Sequence, residues 1–188
     1  IKPYYELILN SFAWQRANEI PADYAMYYND QAGFEIMIPA AWTLGASGNA
    51  VVATDGDTGA SETLMMTNNT SYFDSVTATD MAKILNTGQS GFMMNSYDNS
   101  KETATAKCTY IIDNVQYQET VYGYATGKAM YFVTFDYEAG TVSDEMIELC
   151  GNSFRTFGQT SENTSDTEEP QSDTASSSAD TNVQNEQE

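Results

Sequence analysis

Three runs, "ETATAKCTYII", "VQYQETVYGYA" and "AMYFVTFDYEA", restrict the fold more than any other part of this chain. Each alternates in side-chain character, and only Asp113-Asn114 and Thr126-Gly127-Lys128 stand between them. Such short polar links, built from residues that tolerate φ > 0, predict three antiparallel strands in a meander. In the first run Ala104, Ala106, Cys108, Tyr110 and Ile112 share one face. In the third, Ala129, Tyr131, Val133, Phe135 and Tyr137 do, while Met130 and Phe132 take the other. Apolar residues on both faces imply a sheet covered, at least in part, on both sides.

The same period of two runs through "YAMYYND" and "GFEIMIPAAW", joined by a tight turn at Asn29 to Gly33, and through "NAVVATD" and "SETLMMTNN", joined by "DGDTGA". A helix is predicted near Asp80: Thr77 or Thr79 caps it, Asp80 suits its first turn, and Met81, Ile84 and Leu85 share a face. Gly88 and Gly91 end or interrupt it before "FMMNSY". A last helix spans about Val142 to Arg155, with Thr141 and Asp144 as its capping pair and Ile147, Cys150 and Phe154 as its core face. The first residues behave differently. "PYYELILNSFAWQRANEI" places Tyr5, Ile8, Leu9, Phe12 and Arg16 on one helical stripe between Pro3 and Pro21. This stripe reads as a helix covering the core, or as a docking helix for a partner or for an upstream domain. The fold class is α+β: an antiparallel sheet of about six or seven strands flanked by helices.

The end of the chain lacks what a core needs. From Gln159 onward there is no aromatic residue, Leu, Ile, Met, Lys or Arg, while Glu162, Asp166, Glu168, Glu169, Asp173, Asp180, Glu186 and Glu188 accumulate. Such a segment does not offset its ordering entropy, so residues 158–188 are expected to be a disordered acidic tail. Residues 1–22 are expected to be a helical segment and 23–157 the α+β domain. The whole chain carries a formal charge of −20, and its bases (Lys2, Arg16, Lys83, Lys101, Lys107, Lys128 and Arg155) are scattered. No basic stripe exists to neutralise phosphates, which argues against nucleic acid as a partner, and an anionic membrane surface would repel the chain. A basic partner, or cations, stay open. No run approaches the ~20 apolar residues of a membrane span. The chain begins at Ile1 rather than Met. Removal of an upstream signal peptide fits that start, and the Ser/Thr/Tyr-rich, Lys-poor composition fits a bacterial protein that is secreted or lipid-anchored in the cell envelope.

The stretch "GFEIMIPAAW" and the closing "DEMIELCGNSFRTF" together resemble the PsbP, DcrB and Mog superfamily. The resemblance rests on Gly33, Phe34, Pro39 and Trp42 early in the chain and on Ser153, Phe154 and Phe157 at its end, over residues 25 to 157. It implies an α/β/α sandwich and a binding or assembly role with an unknown protein or envelope partner. It carries over no catalytic residue, no cofactor and no partner-binding residue. Physically, Pro39 cannot donate to a ladder and turns the chain out of the sheet, after which Trp42 folds back as an apolar cap.

The chemistry available to this chain is narrow. It has no His, which removes His-based acid–base, nucleophilic and metal chemistry from it. "GQSGF" fails the nucleophile-elbow spacing, because Phe92 stands where the final Gly belongs. "DTGAS", Asp57 to Ser61, matches the core of aspartic peptidase motifs, but Asp55 and Gly56 precede it instead of an apolar strand and there is no second copy. In "DGDTGASE", Asp55 and Asp57 have the first spacing of a calcium loop, while Gly59, Ala60 and Met66 break the rest. No metal site is therefore assigned; Asp55 and Asp57 are the candidates the pattern offers. Cys108 and Cys150 both fall on core faces. A disulfide between them would close a loop of about 40 residues and add up to ~3–4 kcal/mol; two buried thiols are the favoured reading. The Tyr residues of the meander read as cross-strand pairs in a covered sheet, with a glycan- or peptide-binding face as the alternative. The leading expectation is a non-catalytic extracytoplasmic binding or assembly module. The alternatives are a carboxylate-dependent hydrolase using Asp55 or Asp57, and an immunity- or chaperone-like protein that binds a basic partner. The oligomeric state is open.

Overall fold

The computed structural model describes residues 20–30, 32–47 and 50–157. The predicted N-terminal helix, up to residue 19, and the acidic tail from residue 158 lie outside them. In chain order the described elements are β1 (Tyr24–Asn29), β2 (Phe34–Pro39), β3 (Thr43–Ser47), β4 (Ala50–Thr54) and β5 (Ser61–Thr67). A 3-10 turn (Phe73–Ser75), α1 (Ala78–Leu85), β6 (Ser90–Asn99), β7 (Thr103–Ile112), β8 (Val115–Ala125) and β9 (Met130–Glu138) follow. The series closes with α2 (Asp144–Gly151) and β10 (Arg155–Thr156). This is an α+β fold in which antiparallel sheet is flanked by helices.

The meander forms as β7, β8 and β9. At its first turn Asp113 and Asn114 both take left-handed backbone, φ 51° and 65°, as a two-residue hairpin link requires. It is the middle of a seven-stranded sheet with the order β3-β4-β5-β9-β8-β7-β6. The first two strands do not join it. They pair with each other and with β10 in a separate sheet, ordered β1-β2-β10. The switch lies at the Pro39 corner. Pro39 is the last residue of β2, the backbone N–H of Trp42 donates to Pro39 O at 3.1 Å, and β3 starts at Thr43 in the other sheet. The Trp42 ring is half-buried and packs against the main core.

The seven-stranded sheet is buried on two faces by two sets of residues. Through the register, Tyr122, Val133 and Phe135 share one face with Leu64 and Ala53. That face meets Phe34, Ile36 and Ile38 of the small sheet and Ile147, Cys150 and Phe154 of the closing segment in the main core. The opposite face carries Ala104, Ala106, Val121, Ala125 and Met130, covered by Phe73 of the 3-10 turn and Met81 of α1. Thr77 caps α1: its Oγ1 accepts from Asp80 N at 3.2 Å and donates to Asp80 Oδ2 at 2.6 Å.

Phe73 reaches the sheet because position 123 lacks a side chain. A Cβ there would stand 2.5 Å from Phe73 Cζ. Gly123→Ala is therefore expected to lift the ring, cost ~1–3 kcal/mol and lower the urea midpoint. An unchanged midpoint would show that the ring is not held against the strand.

The last helix is shorter than its apolar spacing implied. It ends at Gly151, not near Arg155, and its cap is Ser143, whose Oγ accepts from Met146 N at 3.2 Å. Thr141 instead donates its hydroxyl to Glu138 O at 2.8 Å. Ser153 explains the early stop. Its Oγ donates to Cys150 O at 2.6 Å and accepts from Met37 N at 2.7 Å, so one hydroxyl closes the helix and ties it to the edge of β2. The chain then runs on as β10 beside Phe34 and Glu35.

Candidate functional site

β2 is the central strand of the small sheet, and all six of its residues are buried. Phe34, Ile36 and Ile38 point into the main core, so Glu35 and Met37 belong to the other side. There Met37 is level with Met26, and Glu35 with Tyr28, of β1. Because Ser153 holds α2 alongside β2, Glu145, Glu148 and Leu149 of that helix face the same space. The result is a groove of about 730 Å³, with Met26, Tyr28, Met37 and Leu149 as its apolar floor and wall and three Glu side chains among its polar atoms. Ile20, the first described residue, also lines it. A concave apolar surface with a few placed polar groups is the usual form of a binding site. Sequence reasoning passed over this groove. The available signal was Met37 itself, a large apolar residue on the face of β2 opposite Phe34, Ile36 and Ile38.

The residues singled out by the sequence fall into separate places. Gly33, Phe34, Phe154 and Phe157 converge although more than a hundred residues separate them in the chain. Phe157 N donates to Gly33 O at 2.8 Å, and Gly33 has φ 68° with Phe157 O close to where a Cβ would stand. Phe34 and Phe154 are 6.0 Å apart between ring centroids; Tyr124 and Tyr131 lie 4.6 Å and 5.0 Å from Phe154. The Tyr124 hydroxyl donates to Gly151 O. This is an aromatic knot that joins the two sheets and the end of the chain, and Pro39 and Trp42 sit at the corner between the same two sheets.

Asp55 and Asp57 are in the exposed turn between β4 and β5. Asp57 N and Thr58 Oγ1 both donate to the Asp55 carboxylate, at 3.2 and 2.6 Å. The Thr58 hydroxyl, then the Asp57 amide, hold Asp55 below the usual carboxylate range. The pair therefore shapes the turn. No group of three or more His, Cys, Asp or Glu side chains among the described residues is placed to hold a metal ion.

Cys108 and Cys150 are free and buried. Cys108 stands on the face of the large sheet that carries Ala104 and Ala106, whereas Cys150 belongs to the main core on the other face. The sheet lies between them, so the loop-closing disulfide is not formed. Burial raises both thiols, Cys108 to about 12.

Buried Glu62 and Glu119, and half-buried Asp136, were not foreseen. Glu62 is 3% exposed, neither oxygen has a hydrogen-bond partner among the described residues, and burial pushes it up to about 8. It faces the seam between the sheets, beside Tyr27, Ile36, Ile38 and Leu64. The signal was available: in "SETLMMT" Glu62 has the parity of Leu64, hence the core face. On the opposite face Cys108, Glu119 and Asp136 are consecutive in register across β7, β8 and β9. Glu119 is pushed up to about 7 by burial and then by the Asp136 charge. Burial raises Asp136, whose carboxylate accepts from the Tyr110 hydroxyl at 3.0 Å. Tyr110 stacks on Tyr117 at 5.7 Å. Glu119 and Cys108 also line a smaller concavity of about 200 Å³, together with Lys107, Thr109, Tyr137 and Asp144.

No protein-family model matches this chain, and no curated protein sequence does. A solved structure from Bacteroides thetaiotaomicron shares the fold with a TM-score of 0.53 at 12% identity, over 73% of this chain and 50% of that one. The chain therefore spans half the length of the structure it matches. Lower likenesses are to a Pseudomonas aeruginosa protein of unknown function described as a putative regulator (TM-score 0.36, 13% identity, 63% of this chain and 85% of that one). Another is to LpqN, involved in cell envelope biogenesis of Mycobacterium tuberculosis (TM-score 0.38, 10% identity, 71% and 90%). At these identities the comparison with the Bacteroides structure speaks to fold alone. Among the described residues no helix is long and apolar enough to cross a membrane.

Proposed function

We propose that this chain is a non-catalytic, extracytoplasmic binding or assembly module of PsbP/DcrB-like type, and that its working surface is the groove over β1, β2 and α2. One observation carries the reading: a groove of about 730 Å³ has an apolar floor of Met26, Tyr28, Met37 and Leu149 flanked by Glu145 and Glu148. An apolar trough with acidic flanks suits one chemistry above others, an amphipathic helix or peptide that brings apolar anchors together with Lys or Arg. The sequence supports the same view. The chain has no His, and Glu62 is buried in the seam between the two sheets. The Asp55–Asp57 turn, on which a carboxylate hydrolase would depend, is an exposed loop with its own internal hydrogen bonds. The family likeness is supported by the meeting of Gly33 and Phe34 with Phe154 and Phe157.

The test is fluorescence anisotropy of labelled amphipathic helical peptides against the full chain. Basic peptides are expected to bind, acidic ones not, with affinity falling as salt rises. Leu149→Glu should weaken binding about tenfold or more. Binding that ignores both the salt and Leu149→Glu, or peptide cleavage at about pH 3 to 7 that Asp57→Asn abolishes, would overturn the reading; the latter would favour the hydrolase.

A further inference from the structure

β1 is an outer strand of the small sheet, and no described strand pairs with its far side. Two bonds fix which backbone groups point there. Ala40 N donates to Asp23 O at 2.9 Å. Every second position along the pair bonds inward in the same way, Ala25 with Ile38 and Tyr27 with Ile36. On the far side of β2, Met37 N donates to Ser153 Oγ, so Met37 turns its backbone away from β1. Met26, level with Met37, and Tyr28, level with Glu35, turn theirs away from β2 in the same manner. Pro39, which has no N–H to give, holds a position of this outward kind opposite Tyr24. The N–H and C=O groups of Met26 and Tyr28 therefore line an open edge.

The other outer strands are blunted. β6 carries register shifts at Ser90/Met93 and Met94/Ser96, β3 has Gly45 at its centre, and β10 has two residues. β1 has none of these devices: its six residues run in unbroken register and include no charge, Pro or Gly. Such an edge is a template for a further strand. Its outward groups repeat at roughly 7 Å, an interval that an extended backbone matches and a helix does not. The flanks add a charge requirement. Asp23 and Asp30 bracket the strand and are both exposed, and neither β1 nor β2 contains Lys or Arg. A formal charge of −20 works against a second copy of the chain as the occupant.

From this geometry we infer that the β1 edge is a second interaction surface, which takes an extended segment of a partner protein as a fourth strand of the small sheet. The segment bonds to the backbone of Met26 and Tyr28 and places Lys or Arg at its two ends, beside Asp23 and Asp30. This goes beyond the groove and does not depend on it: the groove receives side chains, the edge receives a backbone.

The test uses the full chain and an alternating Thr/Val peptide with Lys at both ends, about eight residues long to match the span from Asp23 to Asp30. Amide hydrogen exchange reads the geometry first. In the free chain Ala25 and Tyr27 are expected to be protected while Met26 and Tyr28 exchange freely. Saturating peptide should slow Met26 and Tyr28 about tenfold or more. Binding is then compared between Tyr28→Pro, which removes an outward N–H without taking a ladder bond, and Tyr28→Ala, which keeps that N–H. The Pro variant should bind about tenfold more weakly than the Ala variant, with Ala25 and Tyr27 still protected as proof that the hairpin stands. Asp23→Asn with Asp30→Asn should abolish the preference for Lys over Ser at the peptide ends. No binding, equal affinities of the Pro and Ala variants, or bound peptide that leaves Met26 and Tyr28 exchanging freely would overturn the inference. So would a loss caused by Leu149→Glu but not by Tyr28→Pro, which would put the peptide in the groove. Protection of Met26 and Tyr28 that needs no peptide and rises with protein concentration would show a second copy on the edge and overturn the foreign strand. The helical peptides report on the groove alone, so the two readings stand or fall separately.

Discussion

Phe154→Ala is expected to cost ~3–5 kcal/mol of folding stability, the range for emptying a buried aromatic site. Phe154 is buried and stands 4.6 Å from Tyr124, 5.0 Å from Tyr131 and 6.0 Å from Phe34 between ring centroids. It is the residue through which the small sheet, the large sheet and the end of α2 share one core. No neighbour can fill its place, because Tyr124 is tied by its hydroxyl to Gly151 O and Phe34 is held on both edges of β2. Urea unfolding followed by Tyr fluorescence checks this, with a drop of about 1–3 M in the midpoint given the usual slope for a chain of this size. A loss under about 1 kcal/mol would mean that the two sheets are joined elsewhere.

Glu62 governs the second large effect, which runs with pH. Burial holds its carboxyl protonated in the folded chain to about pH 8, against 4.5 for a glutamate in water. The folded state therefore binds the proton more tightly than the unfolded state does. Whatever stability this group supports is present in full below about pH 4.5 and is lost progressively as pH rises to about 8. Over that window the loss is on the order of 4–5 kcal/mol. Glu62→Gln removes the titration, so the difference in unfolding free energy between variant and wild type should grow from pH 5 to pH 8. Glu62→Leu, which also suits its neighbours Ile36, Ile38 and Leu64, should be the more stable of the two at pH 8. Glu119, raised to about 7 on the other face, adds its own slope to both chains and cancels in the difference. A difference that is flat with pH would place Glu62 in contact with water.

How much of this was legible beforehand follows from where the residues face. The meander was readable because its strands alternate and its turns consist of residues suited to φ > 0. The turn Asn29 to Gly33 and the Thr77 cap were readable for the same local reasons. The division into two sheets was not. Pro39 announces the end of a strand, but only the Trp42 N–H to Pro39 O bond and the start of β3 at Thr43 show that the chain crosses to another layer. β3, "TLGAS", has too little apolar pattern to be seen, and β10 has two residues. The closing helix was overextended because Phe154 continues the spacing of Ile147 and Cys150, whereas Ser153 ends it through a bond to β2 that no local pattern encodes.

The candidate site was least legible for a related reason. Its walls come from β1, β2 and α2, which only tertiary packing brings together, and Met26, Tyr28 and Met37 read as the second face of strands already assigned to a core. Asp55 and Asp57 drew attention because their spacing matches known loops, yet spacing without enclosure produces a turn.

The claim that the groove is the working surface is tested most directly by chemical-shift mapping. The full chain, labelled with ¹⁵N, would be titrated with a basic amphipathic peptide. Shifts concentrated on Met26, Tyr28, Met37, Leu149 and Asn152 are predicted, with β6 and the Asp55–Ser61 turn unmoved. Shifts centred on that turn or on β6, with the groove silent, would contradict the account.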